Sequence, residues 1–466
     1  MDLLRKKTVT TQPAGRQLAR TLSWPHLVAL GVGAIVGTGI LTLIGVGADR
    51  AGPAVILSFV IAGAICACAA LAYAEMATMI PTSGSAYTYS YVVLGEVVAW
   101  VIGWSLILEY SLVVSTVAVG WSGYIFPLLE PFGFPRWLAA GPPLGGVVNA
   151  PAVFIIFAVA GLLTLGTKES ATLNALLVLV KIVALAVFVA VALPHFDAAN
   201  LQPFSPFGFA KHASADGVER GVMAAAAIIF FAFYGFDAIS TAAEEAKNPG
   251  RDLAIGIVGS MLACVAIYML VAITAVGALS YTRFADSPEP LALILRGIDQ
   301  PGFATFLAIS AVVALPTVLL GFLFGQSRIF FVMARDGLLP ESLARVSGRG
   351  TPARITWLTG VLVAVIAGVM PIDAIAALAN AGTLAAFVAV CMCMLVMRRR
   401  APDQPRPFRT PAAPVIGGFG IVGCTYLFFS LPTRTELYFL AWNAIGLLVY
   451  LLYARPRVDR MQHADT

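Results

Sequence analysis

The chain has 466 residues, 59% of them hydrophobic and only 11% charged, with a mean hydropathy of +0.89. That balance excludes a soluble globular domain, and uncharged apolar runs recurring from end to end mark a polytopic membrane protein. The net charge of +5 says little as a total, but its distribution along the chain sets an orientation.

Residues 1–23 are polar and basic and lack the apolar core of a signal peptide, so they read as a cytoplasmic N-terminal segment. Twelve apolar spans of about 20 residues follow. They cover 26–48, 55–76, 97–125, 153–165, 173–193, 221–243, 253–279, 303–333, 355–370, 375–397, 415–431 and 437–453. With the N-terminus inside, most Lys and Arg fall in cytoplasmic segments, densest at Arg398, Arg399, Arg400, Arg406 and Arg409. The opposite loops hold only Arg50, Arg136, Lys211, Arg220, Arg283, Arg296 and Arg434. This asymmetry places both termini, including a tail at 456–466, in the cytoplasm of a cell with the protein in its inner membrane.

The first span contains GVGAIVGTGI at 31–40, four glycines in ten residues. Glycine costs about 1 kcal/mol against alanine inside a helix, so this stretch predicts a helix that stops near Val36, crosses Gly37-Thr38-Gly39 and restarts. Broken backbone at membrane depth is tolerated only where protein or a cavity satisfies it, and a restarted helix offers amides and a positive dipole end to a carboxylate. A glycine face for close helix packing explains the same residues. The sixth span carries a matching interruption, IIFFAFYGFD at 228–237. Spans one to five (24–194) and six to ten (220–397) are of nearly equal length. An odd number of spans per unit inverts the second relative to the first, and a broken helix leading each repeat points to the binding site. Spans eleven and twelve (412–455) lie outside the repeat, within one transporter domain at 24–455.

At this point GVGAIVGTGI, LAYAEMATMIPTSGSAY after span two, FFAFYGFDAISTAAEEAKNPGRDLAIGI across span six and RIFFVMARDGLLP after span eight resemble the amino acid–polyamine–organocation superfamily. The nearest branch looks like the bacterial cationic-amino-acid-transporter-like permeases. The resemblance implies an all-α integral membrane protein with 12 transmembrane helices, a leucine-transporter-type 5+5 inverted repeat and two C-terminal helices. Spans one, two, six and seven would move against three, four, eight and nine. It implies an L-amino acid substrate held by Ile35, Gly37, Thr38, Gly39, Phe231, Ala232, Phe233, Tyr234 and Gly235. The carboxylate would lie on the backbone of Thr38 and Gly39, and the ammonium on carbonyls of Ile35, Phe231, Ala232 and Tyr234. Helix-end polarity agrees, since a helix N-terminus favours an anion and a C-terminus a cation. Phe322 stands where relatives taking arginine or lysine have a small residue, which implies a neutral side chain of small or medium size.

Two charges lie deep in spans, Glu109 in the third and Lys181 in the fifth. Each costs ~2.5–3.5 kcal/mol at the bilayer centre on insertion scales, so each is a functional candidate by default. The resemblance places the span-five lysine where sodium-coupled relatives hold an ion, which makes a proton the expected coupling partner. A fixed structural cation is the competing reading for Lys181, and packing the competing reading for Glu109. Asp237 is expected to hold local backbone, while Glu75, Glu244, Glu245 and Arg328 fall near cytoplasmic span ends.

All six cysteines lie in apolar spans, and the C-x-C pairs 66/68 and 391/393 point about 200° apart on a helix, so no metal or other cofactor is assigned. No HExxH, GxSxG or Walker loop is present, so an enzyme is not expected, nor is a nucleic-acid partner. A channel lacks its selectivity-filter repeats here. The expected function is secondary active transport, proton-coupled symport of neutral amino acids. An exchanger, or a cationic amino acid or polyamine permease of the same fold, is the alternative, and a small single-span accessory subunit is left open.

Overall fold

The computed structural model describes residues 22–82, 84–165, 171–243, 246–344 and 353–457. Nearly all of the terminal segments expected at 1–23 and 456–466 lies outside the described residues, as do Glu244, Glu245 and the side chain of Arg328. Helices α1 (Trp24–Ile35), α2 (Thr38–Leu41), α3 (Leu43–Ala51), α4 (Val55–Met79), α5 (Ser85–Val93), α6 (Glu96–Leu129), α7 (Ala150–Leu165) and α8 (Ala171–Ala192) come first. A two-stranded hairpin, β1 (His212–Ala213) and β2 (Glu219–Arg220), precedes α9 (Val222–Ile229) and α10 (Asp237–Thr241). Then follow α11 (Pro249–Ala278), α12 (Pro290–Gly297), α13 (Pro301–Ala314), α14 (Pro316–Arg335) and α15 (Ala353–Val369). The last are α16 (Ile372–Arg400), α17 (Ala413–Phe429) and α18 (Thr433–Val449).

Among the described residues, eight helices are long and apolar enough to cross a bilayer, and four shorter ones are apolar. Their outward faces carry large bare hydrophobics, among them Phe154, Leu179, Leu262, Leu358, Val415 and Leu452. So wide an apolar surface suits lipid and not water, and these features define a multi-pass membrane protein.

Two regions refine the expected spans. The run expected as one span at 303–333 is one apolar span, Pro301–Arg335, whose ladder lapses between α13 and α14 because Pro316 has no N–H, while Leu315 keeps helical angles (φ −60°, ψ −34°). Residues 81–95, expected as a loop, contain α5, whose Tyr87, Tyr89 and Tyr91 are buried. Tyr87 donates to Asp336 at 2.9 Å, and Tyr91 and Tyr450 donate to Glu96 at 3.0 and 2.9 Å.

Polar contacts fasten the two ends of the bundle. At one end, Arg50 at the close of α3 pairs with Asp373 on α16 at 3.3 Å and donates to the Glu219 carbonyl at 2.8 Å. Arg220 pairs with Asp49 and with Asp216, and its bond holds the exposed Asp216 carboxyl below the ordinary carboxylate range. At the other end, Glu75 of α4 is buried under a fork from Arg398 of α16, at 2.8 and 2.6 Å. It also accepts the Thr410 amide at 2.8 Å and pairs with the buried Arg406 at 3.4 Å. Removing one partner of a buried charge set leaves the other uncompensated. Glu75→Gln should therefore cost about 3 kcal/mol and lower the melting midpoint of the detergent-solubilised protein by several degrees; an unchanged melt would show that the network bears no weight.

Candidate functional site

The first break is short. Helix α1 ends at Ile35, Val36 is extended (φ −71°, ψ 100°), Gly37 is non-helical (φ −154°, ψ −147°), and α2 begins at Thr38. Gly39 thus lies in the restarted helix and not in the gap. The Thr38 and Gly39 amides fall in its first turn, where no helical carbonyl precedes them. In the sixth segment α9 runs into a tight turn at Phe230–Ala232, and Gly235 takes φ +121° before α10 starts at Asp237. That angle is open to glycine and strained for other residues. Asp237 holds the turn by accepting the Gly235 amide at 3.1 Å and the Tyr110 hydroxyl at 3.0 Å.

The two breaks press against each other. A Cβ on Gly39 would stand 2.3 Å from the Ala232 Cα, and one on Gly235 would stand 2.9 Å from the Ala34 carbonyl carbon. Beside this crossing lies a cavity of about 10 Å³. The first segment lines it with Ala34, Ile35, Gly37, Thr38 and Gly39, and the sixth with Phe231 and Tyr234. Val113 and Val117 of α6 and Val318 and Phe322 of α14 complete an apolar wall. That volume holds roughly one water, so an amino acid enters only when the walls part.

Seven of the expected residues therefore face one cavity: Ile35, Gly37, Thr38, Gly39, Phe231, Tyr234 and Phe322. Ala232, Phe233 and Gly235 do not. Ala232 backs Gly39, Gly235 backs Ala34, and the buried Phe233 ring packs edge-on against Phe59 and Tyr268 at 5.9 and 5.3 Å. The Ile35 carbonyl, expected to meet an ammonium, already accepts the Tyr268 hydroxyl at 2.8 Å. Tyr268 was missed, although a lone phenol within aliphatic CVAIYMLVAI is a visible signal. The three valines carried none, being valines among many.

Lys181 and Glu109 face different neighbours. The Lys181 ammonium donates to the Gly33 carbonyl at 2.9 Å, at the C-terminal end of α1 where a cation suits the helix dipole. It lines a second small cavity with Val36, Leu41 and Leu307. Glu109 is buried with Asp237 and Thr383 as polar neighbours. The Thr383 hydroxyl is turned to the Ala379 carbonyl at 3.3 Å, and neither Glu109 oxygen has a hydrogen-bond partner among the described residues. No group of metal-ligating side chains occurs among the described residues.

Residues 22–452 match the family model described as amino acid permease, and the chain belongs to that family. It is 43% identical to the branched-chain amino acid permease BcaP of Bacillus subtilis (strain 168), over 97% of this chain and 98% of that protein. It is 41% identical to the methylthioribose transporter of the same organism, with the same coverage. It is 39% identical to the vacuolar cationic amino acid transporter 2 of Arabidopsis thaliana, over 87% of this chain and 65% of that protein. These relatives are named as permeases and transporters, not enzymes.

The contacts at the crossing separate two glycines two residues apart. Gly39→Ala must push Ala232 backbone aside and should abolish uptake in proteoliposomes. Gly37→Ala makes only ordinary contacts, nearest Val318 Cγ2 at 3.4 Å, and should retain measurable uptake. Equal loss in both would mean that the crossing is not what Gly39 serves.

Proposed function

We propose that this protein moves L-amino acids across a bacterial inner membrane by alternating access, as a proton-coupled symporter of small or medium neutral substrates. The observation that carries the reading is the meeting of both broken segments at one cavity walled by valine and phenylalanine. In this reading the first-turn amides of Thr38 and Gly39 take the carboxylate, and the carbonyls around Phe231, Ala232 and Tyr234 take the ammonium. The twelve spans, the inverted five-plus-five repeat at 24–194 and 220–397, and cytoplasmic termini belong to the same proposal. The position of the two breaks, each opening one repeat, supports it.

The apolar wall favours a neutral side chain, in keeping with the name of the branched-chain relative. Phe322 is buried, with its ring 5.3 Å from Tyr110 and 6.4 Å from Tyr234, and it closes the cavity on the α14 side. Replacing a packed phenylalanine by a small residue leaves a sizeable void. Phe322→Ser should therefore admit longer or cationic side chains, read as a widened substrate range in competition assays. An unchanged range would remove Phe322 from the selectivity wall. The methylthioribose relative makes one contrast useful in the same assay. A sugar derivative has neither carboxylate nor ammonium, so its uptake in preference to any amino acid would overturn the clamp.

For coupling, Lys181 is an amine that can release and regain a proton, and it bonds the broken helix itself. Uptake should rise with an inward proton gradient and ignore sodium. Lys181→Arg keeps the charge but cannot deprotonate in a protein, so it should lose gradient-driven accumulation while keeping downhill exchange. Labelled amino acid uptake under an imposed pH gradient reads this directly. Full accumulation by Lys181→Arg would make Lys181 a fixed structural cation, and exchange independent of pH in the wild type would favour the exchanger.

A further inference from the structure

The end of α9 has a partner on a distant helix. The last turn of α9 contains the carbonyls of Ala227 and Ile228, and the second of these also accepts the Phe230 amide. Here the helix passes into the tight turn at Phe230–Ala232 inside the protein, where water does not reach. Asn380 of α16 adds a side-chain donor to this turn. Its Nδ2 donates to the Ala227 carbonyl at 2.7 Å and to the Ile228 carbonyl at 3.1 Å. The side chain is fully buried, and its Oδ1 has no hydrogen-bond partner among the described residues. The two carbonyls fix the amide's orientation, because a flip would set oxygen against oxygen.

The same helix grips the break from both sides. Phe387, seven residues on and so on the same face of α16, has its ring 5.7 Å from Phe230 before the turn and 5.2 Å from Phe236 after it. Between those two rings lie Phe231 and Tyr234, which line the cavity. An anchor at Ala227 and Ile228 therefore sets the direction in which the next carbonyls leave the helix.

We propose that Asn380 is a positioning residue for recognition of the substrate ammonium: by pinning the end of α9 to α16, it aims the carbonyls of the sixth-segment break into the cavity. The inference rests on the reading of that break as the ammonium site. Asn380 does not line the cavity, so it acts through the backbone it holds.

The test compares an amino acid with the α-hydroxy acid of the same side chain, which keeps the carboxylate and lacks the ammonium. Purified full-length wild type, Asn380→Leu and Asn380→Ser are screened by thermal shift against the twenty L-amino acids. The strongest binder and its hydroxy analogue are then titrated. Wild type should prefer the amino acid. Asn380→Leu, of similar shape but without a donor, should lose roughly tenfold in affinity for the amino acid and little for the hydroxy acid. Asn380→Ser, which keeps one donor at shorter reach, should recover part of that preference. A general packing defect would lower both affinities and the ligand-free melt together. An Asn380→Leu protein with the wild-type preference would overturn the inference and leave the clamp standing. A wild type that binds no amino acid, or does not discriminate, would overturn the clamp and this inference with it. If neither variant folds, Asn380 is an ordinary core residue and the proposal fails.

Discussion

Backbone that leaves the helix at membrane depth must find its hydrogen bonds within the protein, because lipid offers none. The rest of this structure depends on how that constraint is met at two places. At the first break, Lys181 takes the Gly33 carbonyl and Tyr268 takes the Ile35 carbonyl. At the second, Asn380 takes Ala227 and Ile228, and Asp237 takes the Gly235 amide. Four side chains from four elements thus satisfy groups that would otherwise cost several kcal/mol each in lipid. In the proposed reading, a binding site made mostly of main chain follows from breaking two helices and then satisfying most of the freed groups.

Much of this was legible in the sequence. Glycine at 37 and 39 and the YGFD run marked both breaks, since glycine is poor in a helix and the second interruption stands where an inverted repeat requires a mate for the first. The segment that crosses at Gly39 is nevertheless one turn of helix and not a gap, because a sequence shows that a helix weakens and not which peptide yields. The three residues that back the crossing, Ala232, Phe233 and Gly235, could not be separated from those that face the cavity. Facing is decided by the partner segment, here Ala34 and Gly39, about 200 residues away in the chain. Helix α5 escaped for another reason. It is too short and too polar to count as a span, yet its tyrosines are core, Tyr87 and Tyr91 bonding carboxylates and Tyr89 packing on the Tyr73 ring.

The intramembrane charges separate in the same way. Composition shows that Lys181 and Glu109 are both expensive, and nothing in the chain says whether they meet. The structure sets Lys181 against the C-terminal end of α1, where the helix dipole compensates a cation. It sets Glu109 against Gly382 of α16, with Thr383 and a second carboxylate, Asp237 of α10, as its polar neighbours. An ammonium on a helix end is a fully supported group. A buried carboxylate beside another carboxylate is not, and both Glu109 oxygens lack a hydrogen-bond partner among the described residues.

The cavity is too small for an amino acid, so in the proposed cycle some of its walls must part, and the bonding differs from wall to wall. On the apolar side α6 is cross-linked to its neighbours along its length. Ser111 meets Gln326, Ser115 donates to the Val363 carbonyl at 3.0 Å, Trp121 to the Val312 carbonyl at 2.9 Å, and Ser122 to Asn149 at 2.6 Å. Opening that side would break all of these together and leave buried polar atoms without partners. On the other side the broken segments are held by single donors near their ends, with Gly37 and Gly235 supplying joints whose backbone can turn. Beyond the joints, Arg50–Asp373 and Glu75–Arg398 tie one end of α3 and one end of α4 to α16, each pairing a buried partner, Arg50 or Glu75, with one that water reaches. In the proposed cycle these joints favour a swing of the broken segments and α4 against α6, α14 and α15, which would leave the cross-links of α6 shut.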